Sequence, residues 1–460
     1  MKKNYLILHH NSKKVYKYKT RYITYMAVTA VTAVTAYDAS SKHINHEIDL
    51  CLSSYIKEKE REPENAAYVI DIEEATQLIY DRLNNYIGDV GIENVKKRVE
   101  DIKQYRRELN VLLQLPLMKQ RTTEWFEARK TRLTASDLYD AVKGGNVSIK
   151  LAKKKANIVV DNINYNAIPA LKWGTMFEPM ATRCYSQKMN NINIHDFGLI
   201  CDVDNKHFGA SPDGINELGI MLEIKCPYSR KIVDGVIPEK YKMQIQGQLA
   251  VCKLKECDYI ECIFKSIEDV DEYLELYNNT TSHGTHGTHG VIAEFYNQKS
   301  EYVYFYSDAN KTPKECVDDM YNIRNRIINN DGSNDNDGTS NEKLKFSKYT
   351  YWVLDEMIIQ RVVFNANEWE TIIPKINTFW ENVEEYKMLP IEIGIKKYKF
   401  IDDNDDDNND NNDNNDNNDN NDNNDNNSAN IEKTAKATKA AKAIKATKAA
   451  KATKAAIAVI

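Results

Sequence analysis

Glu223 and Lys225 stand inside an apolar run, and that placement restricts the fold more than any other feature of the chain. The stretch from Phe208 to Lys225 reads FGASPDGINELGIMLEIK, with Asp213 in a turn and Glu223-Ile224-Lys225 closing the run. Apolar residues crowd from Ile220 to Ile224 as in a short buried strand, and Cys226-Pro227 breaks it. Alternation along a strand puts Glu223 and Lys225 on one face and sends Ile224 into the opposite layer. Burying both charges is unfavourable by several kcal/mol unless something pairs with them. A divalent metal and a phosphate would offset that cost.

The rest of the chain divides around this strand. Residues 1–45 are weakly patterned and contain the VTA repeat Val28–Ala36. Residues 46–115 read as helical: Glu73–Ile87 and Ile92–Leu115 carry apolar residues at three- and four-residue spacing, as a small helical appendage or interaction arm would. Pro116 ends the second helix, and residues 116–400 change character. A helix is predicted over Leu171–Met189, with Glu178 half-buried between Phe177 and Pro179. Strands are predicted at Phe197–Val203, Cys257–Phe264, Val291–Tyr296 and Tyr302–Tyr306, the last two as a hairpin. Glu239–Cys252 reads as a helix on which Gln244, Gln246 and Gln248 do not share a single face. Two further strands, YWVL and MIIQRVVF, and a long helix from Asn367 finish the domain.

Low-complexity tracts at His283–Gly290, Asp402–Asn427 and Lys433–Ala456 share the VTA repeat's period of three, the mark of expansion rather than of a selected site. The Asp/Asn tract of the 401–460 tail, and the insertion Asn330–Asn341, are too polar to fold. The tail also distorts the charge balance. The whole chain has a net charge of −6, but residues 402–427 hold 11 Asp and residues 428–460 hold 8 Lys and one Glu, which leaves a net of −2 in 1–401. Any nucleic-acid contact must therefore come from a local patch, such as the lysines at 150, 153, 154 and 155.

Glu178 on a helix, Asp213 in a turn, Glu223-x-Lys225 on a strand and Gln246 on the next helix supply what hydrolysis of a phosphodiester needs. Hard oxygen ligands suit Mg²⁺, which keeps several waters and takes few carboxylates. A lysine beside it can stabilise charge on the phosphoryl group. A zinc site would want closely spaced His and Cys, which this cluster lacks. Each residue alone has a plainer reading: Ser136 or Thr134 as a helix N-cap, Asp213 as turn chemistry, Glu178 as a surface acid.

Six motifs in order make the pattern specific: WFEAR (Trp125–Arg129), TAS (Thr134–Ser136), WGTMFE (Trp173–Glu178), SPDG (Ser211–Gly214), LEIKCP (Leu222–Pro227) and QIQ (Gln244–Gln246). Across residues 121–264 they resemble the lambda-exonuclease-like, YqaJ-type viral recombinase family of PD-(D/E)XK nucleases. The resemblance implies an α/β (α+β) fold with a restriction-endonuclease-like core, a central mixed sheet flanked by helices, here with an N-terminal helical extension and a disordered C-terminal tail. It implies that Asp213, Glu223 and the carbonyl of Ile224 ligate Mg²⁺ (with Mn²⁺ able to substitute) and that Glu178 serves a second metal or a metal-bound water. Lys225 would be the catalytic lysine and Gln246 would position it or the nucleophile. Arg129 would bind the 5′-phosphate or the phosphate beside the scissile bond, with Ser136 and Ser211 as further substrate contacts.

The activity implied is a 5′→3′ exonuclease on duplex DNA ends, working in recombination or repair with a single-strand annealing partner, and in some members as a ring-shaped homotrimer. A structure-specific endonuclease on the same core and a catalytically inert DNA-binding scaffold are the competing readings. Eight scattered Cys with no CxxC pair and no preceding secretory signal suit free thiols in a reducing, intracellular compartment, and the repeats suit a large DNA virus and its infected cell. No run of about 18 apolar residues exists, so no membrane span is expected.

Overall fold

The computed structural model describes residues 33–60, 70–87, 90–116, 118, 120, 122–159, 168–278, 288–308, 310–329 and 344–389. The Asp/Asn tract, the Lys/Ala tail, the 330–341 insertion, His283 and His286, and most of the VTA repeat lie outside the described residues. In chain order the helices are α1 (Ala33–Glu60), α2 (Ile72–Ile87), α3 (Ile92–Leu113), α4 (Thr123–Lys130), α5 (Leu138–Lys143), α6 (Gly145–Lys155), α7 (Pro169–Lys188), α8 (Glu239–Cys252), α9 (Val270–Asn278), α10 (Pro313–Asn329) and α11 (Ala366–Lys387). The strands are β1 (Leu133–Thr134), β2 (Ile194–His195), β3 (Ile200–Cys201), β4 (Phe208–Ala210), β5 (Gly214–Asn216), β6 (Met221–Lys225), β7 (Glu256–Ile267), β8 (His289–Tyr296), β9 (Tyr302–Tyr306) and β10 (Lys345–Val363).

Seven strands form the central sheet in the order β2-β5-β6-β7-β10-β8-β9. Only β6 and β7 run parallel, joined by the crossover helix α8; the other pairs are antiparallel, so the sheet is mixed as the motifs led one to expect. A small side sheet, β1-β4-β3, accounts for part of the stretch predicted as one strand over Phe197–Val203, of which only Ile200–Cys201 is extended and paired. The two C-terminal strands predicted separately are one strand, β10, whose register against β7 shifts between Leu354 and Glu356.

Alternation on β6 sorts its side chains as predicted. Leu222 and Ile224 enter the core built with Met176, Phe177, Met180 and Ala181 of α7, whereas Met221 packs with Ile245 and Leu249 of α8. The sheet therefore separates two apolar layers, and Glu223 lies on the α8 side. In the β5–β6 turn, Gly219 takes φ +79°, and a Cβ there would stand 2.5 Å from the Tyr105 backbone; α3 packs that closely.

The N-terminal helices are not an appendage. Ile48, Leu52 and Ile56 of α1 and Val95, Val99 and Ile102 of α3 belong to the same buried cluster as Leu222 and Ile224. A buried ionic network ties them to the sheet. Arg98 donates to both oxygens of Asp49 (2.8 and 2.7 Å) and to Glu256 Oε1 (2.6 Å). Arg361 of β10 donates to Asp258 (2.7 Å) and pairs with Glu256. Tyr185 of α7 donates to Asp258 Oδ2 at 2.7 Å. Among the described residues no helix is long and apolar enough to cross a membrane. The eight cysteines are free, and all but Cys201 are buried.

Candidate active site

Two elements aim acids at the end of β6. Phe177 of α7 is fully buried and stacks on Phe264 of β7 with ring centroids 4.5 Å apart, which leaves its neighbour Glu178 half-buried at the border of the core. Asp213 precedes β5; its Oδ2 accepts from the Ile224 N–H at 2.7 Å, which locks the turn against the strand. The following residue must be small, because a Cβ on Gly214 would lie 2.6 Å from Ile194 Cγ2 of β2.

Glu223 is fully buried yet well provided with donors. Gln244 Nε2 donates to Oε1 at 2.7 Å, Gln248 Nε2 donates to Oε2 at 2.8 Å, and Lys225 Nζ pairs with Oε1. Residues four apart on α8 share a face, so the two glutamines grip one carboxylate from the same side. Gln246 lies elsewhere: its Nε2 donates to Val363 O at 3.0 Å and its Oε1 accepts from Asn365 N at 2.7 Å, fastening α8 to the end of β10. Gln246 was expected to position Lys225 or the nucleophile; the glutamines that reach the acids are instead Gln244 and Gln248, and what they hold is Glu223.

The charges explain one another. Burial, then the neighbouring Glu223 and Glu178 carboxylates, push Asp213 well above the usual carboxylate range. Burial disfavours the Lys225 ammonium, but Glu223 and then Asp213 outweigh it and raise its pKa, so it stays protonated. Lys225 faces Glu223 and Asp213, and Glu178 adds a further negative charge beside Asp213, an arrangement that gains from added positive charge. Among the described residues no three His, Cys, Asp or Glu side chains form a ready-made metal cage. Asp213 and Glu223 with the Ile224 carbonyl nevertheless fit Mg²⁺, which takes one or two carboxylates and completes its shell with water or phosphate oxygens.

A second cluster holds the remaining predicted residues together. Arg129 Nη2 donates to Ser136 Oγ at 3.1 Å and Thr134 Oγ1 at 3.3 Å, and its guanidinium lies over Trp125 at 4.3 Å. Trp125 Nε1 donates to Ser211 Oγ at 3.2 Å, which links this cluster to the SPDG turn. Lys155 pairs with Asp137 at 3.0 Å, and Asp137 accepts from Thr134 at 3.1 Å. Neither Thr134 nor Ser136 caps α5; Asp137 holds the cap position and the two hydroxyls face Arg129 instead. Burial lowers the Arg129 pKa, with Asp137 opposing. Trp125, Thr134 and Lys155 were within reach of sequence reasoning only through their motif or basic cluster, not through a chemical role.

Residues 124–255 match the YqaJ-like viral recombinase domain. An uncharacterized protein of Acanthamoeba polyphaga mimivirus is 24% identical over 333 residues, covering 64% of this chain and 57% of the relative. A protein of African swine fever virus (isolate Tick/South Africa/Pretoriuskop Pr4/1996) is 28% identical over 188 residues, covering 32% of this chain and 50% of that protein. The chain thus spans just over half of one curated relative and half of the other. Similar solved structures include an alkaline exonuclease, LHK-Exo, from Laribacter hongkongensis (19% identity, TM-score 0.34, 57% of this chain and 93% of that one). A phage-related exonuclease from Haemophilus somnus 129PT is similar at 10% identity and TM-score 0.27, over 56% of this chain and 93% of that one.

Proposed function

We propose, on the match of residues 124–255 to the YqaJ-like viral recombinase domain, that the chain is a Mg²⁺-dependent DNA nuclease acting 5′→3′ on duplex ends. The observation that carries this reading is the buried Glu223 carboxylate held by Gln244, Gln248 and Lys225 beside Asp213. Asp213, Glu223 and the Ile224 carbonyl are the proposed metal-holding groups, with Glu178 close enough to act on the Asp213 carboxyl. When bound, the metal makes a water more acidic and neutralises charge on the phosphoryl oxygens.

The chain's own groups do the rest. Gln244 and Gln248 fix the Glu223 carboxylate so that it need not reorganise as the substrate arrives. Lys225 keeps its proton and donates toward a non-bridging oxygen of the scissile phosphate, where negative charge grows. Arg129 and the exposed Ser136 offer converging N–H and O–H donors to a terminal 5′-phosphate, while Thr134, its own proton given to Asp137, accepts from Arg129 and helps Trp125 hold the guanidinium. Hydrolysis from such an end leaves a 3′ single strand, suited to hand-over to a single-strand annealing protein.

The test is digestion in Mg²⁺ of 5′-labelled linear duplex against a nicked circle of the same sequence. Mononucleotides from the linear DNA alone are the expected products. Cleavage of the circle would replace the end-directed reading with an endonuclease. No products from either DNA, in Mg²⁺ or Mn²⁺, would leave only a DNA-binding scaffold.

A further inference from the structure

Lys225 is not the only cation against its neighbouring aromatic ring. The Tyr241 ring lies 4.8 Å from Lys225 Nζ, 5.0 Å from Lys240 Nζ and 6.0 Å from the Arg230 guanidinium carbon. Arg230 belongs to the irregular segment 226–238 that leaves β6 directly after Lys225, and the segment is anchored. Tyr228 meets the Trp173 ring at 5.5 Å, Ile232 is buried, and Val236 O accepts from Gln360 at 3.4 Å.

The anchor for Arg230 itself is unusual. Glu261 stands opposite Lys225 in the parallel β6–β7 ladder and has no exposed surface. Its Oε1 accepts from Tyr259 OH at 2.8 Å and from Arg230 Nη2, while Oε2 has no hydrogen-bond partner among the described residues. A carboxylate buried with one oxygen unsatisfied costs free energy that packing does not return. Its service is to hold a guanidinium at the rim of the site: the Arg230 side chain keeps 15% of its surface exposed, with donors beyond the pair. Among the described residues, Arg230 contacts Glu261, Lys231 and Tyr241, whereas Arg129 contacts Thr134, Ser136, Lys155 and Trp125.

We propose that Arg230 is a second phosphate-binding residue, gripping a DNA phosphate next to the scissile one, and that Glu261 is its positioning residue. This rests on the nuclease reading above. The guanidinium fork suits a phosphate diester, and Tyr241 sets Arg230 and Lys225 over one surface so that successive phosphates meet successive cations.

The test uses the full chain and 5′-phosphorylated linear duplex, reading KM, kcat and the salt dependence of binding. Arg230→Ala is expected to raise KM about tenfold or more with kcat nearly unchanged. It should also make the slope of log affinity against log salt shallower by about 0.9, the loss of one phosphate contact. Arg230→Lys should restore the slope and part of the affinity, and Glu261→Gln should raise KM while keeping the slope, since the cation remains. An Arg230→Ala protein with wild-type KM and slope overturns the proposal and leaves the nuclease reading standing. A fall in kcat and melting temperature without a change in slope also overturns it, as a structural role. A wild-type protein that digests no duplex removes both.

Discussion

Lys225→Ala is expected to lower turnover of linear duplex by about 10²–10⁴-fold, or roughly 3–5 kcal/mol of transition-state stabilisation, while duplex affinity stays within a few fold. Lys225 is the one side chain of the constellation that brings a proton-bearing positive charge to the acids, and Glu223 and Asp213 keep it charged. Its loss should leave the fold intact, because Glu223 retains the Gln244 and Gln248 donors. The split between turnover and affinity is the informative part. Single-turnover hydrolysis and filter binding on the same preparation would measure it. Equal turnover in variant and wild type would remove Lys225 from the chemistry.

Arg98→Met should destabilise the protein by about 3–5 kcal/mol, a cost set by the charges left behind rather than by the lost pair. Asp49 has no exposed surface, and Glu256 is nearly as enclosed. Burial alone would raise the Glu256 carboxyl, but Arg361 and Arg98 outweigh it and hold it at about 2. An acid whose folded pKa is depressed stabilises the fold above its unfolded value, near 4.3, and loses that contribution as pH falls toward the folded value. The deficit of the variant should therefore narrow between about pH 4.5 and pH 2. Denaturant midpoints across that range would show it. A helical appendage would predict otherwise: Arg98→Met would then leave the midpoint of the sheet's unfolding unchanged.

These two sites differ in how far the sequence discloses them. The Glu223-x-Lys225 face was legible because a strand has a period of two and fixes which side chains share a side. The bounds of α8 were legible too: the helix runs Glu239–Cys252 as read from the sequence, and Pro238 precedes its first turn. Its rotation was not. From Ile245 to Cys252 every residue of α8 is buried, so no apolar stripe against a polar face sets the phase, and Gln246 could not be told from Gln244 and Gln248. Asp49 and Arg98 look like solvent-facing charges on amphipathic helices; their partners Glu256 and Arg361 lie far along the chain, and only the folded contact reveals them. The same limit divided β10 in two, because Asp355 and Glu356 interrupt its apolar pattern where the register shifts.

The claim beneath all of this is that Asp213, with Glu223, holds a divalent cation beside Lys225. A Mn²⁺ titration of the DNA-free wild-type protein and of Asp213→Asn, followed by calorimetry and thermal unfolding, tests it most directly. Because burial and the facing acids raise the Asp213 pKa, its carboxylate destabilises the metal-free fold increasingly as pH rises above about 3.9. Asp213→Asn should accordingly melt higher than wild type in chelator at neutral pH. Mn²⁺ should then stabilise wild type, by about 2.7 kcal/mol at a hundred times its dissociation constant, and leave the variant where it was. Wild type and Asp213→Asn taking up Mn²⁺ with the same affinity, or neither taking it up, would contradict the account.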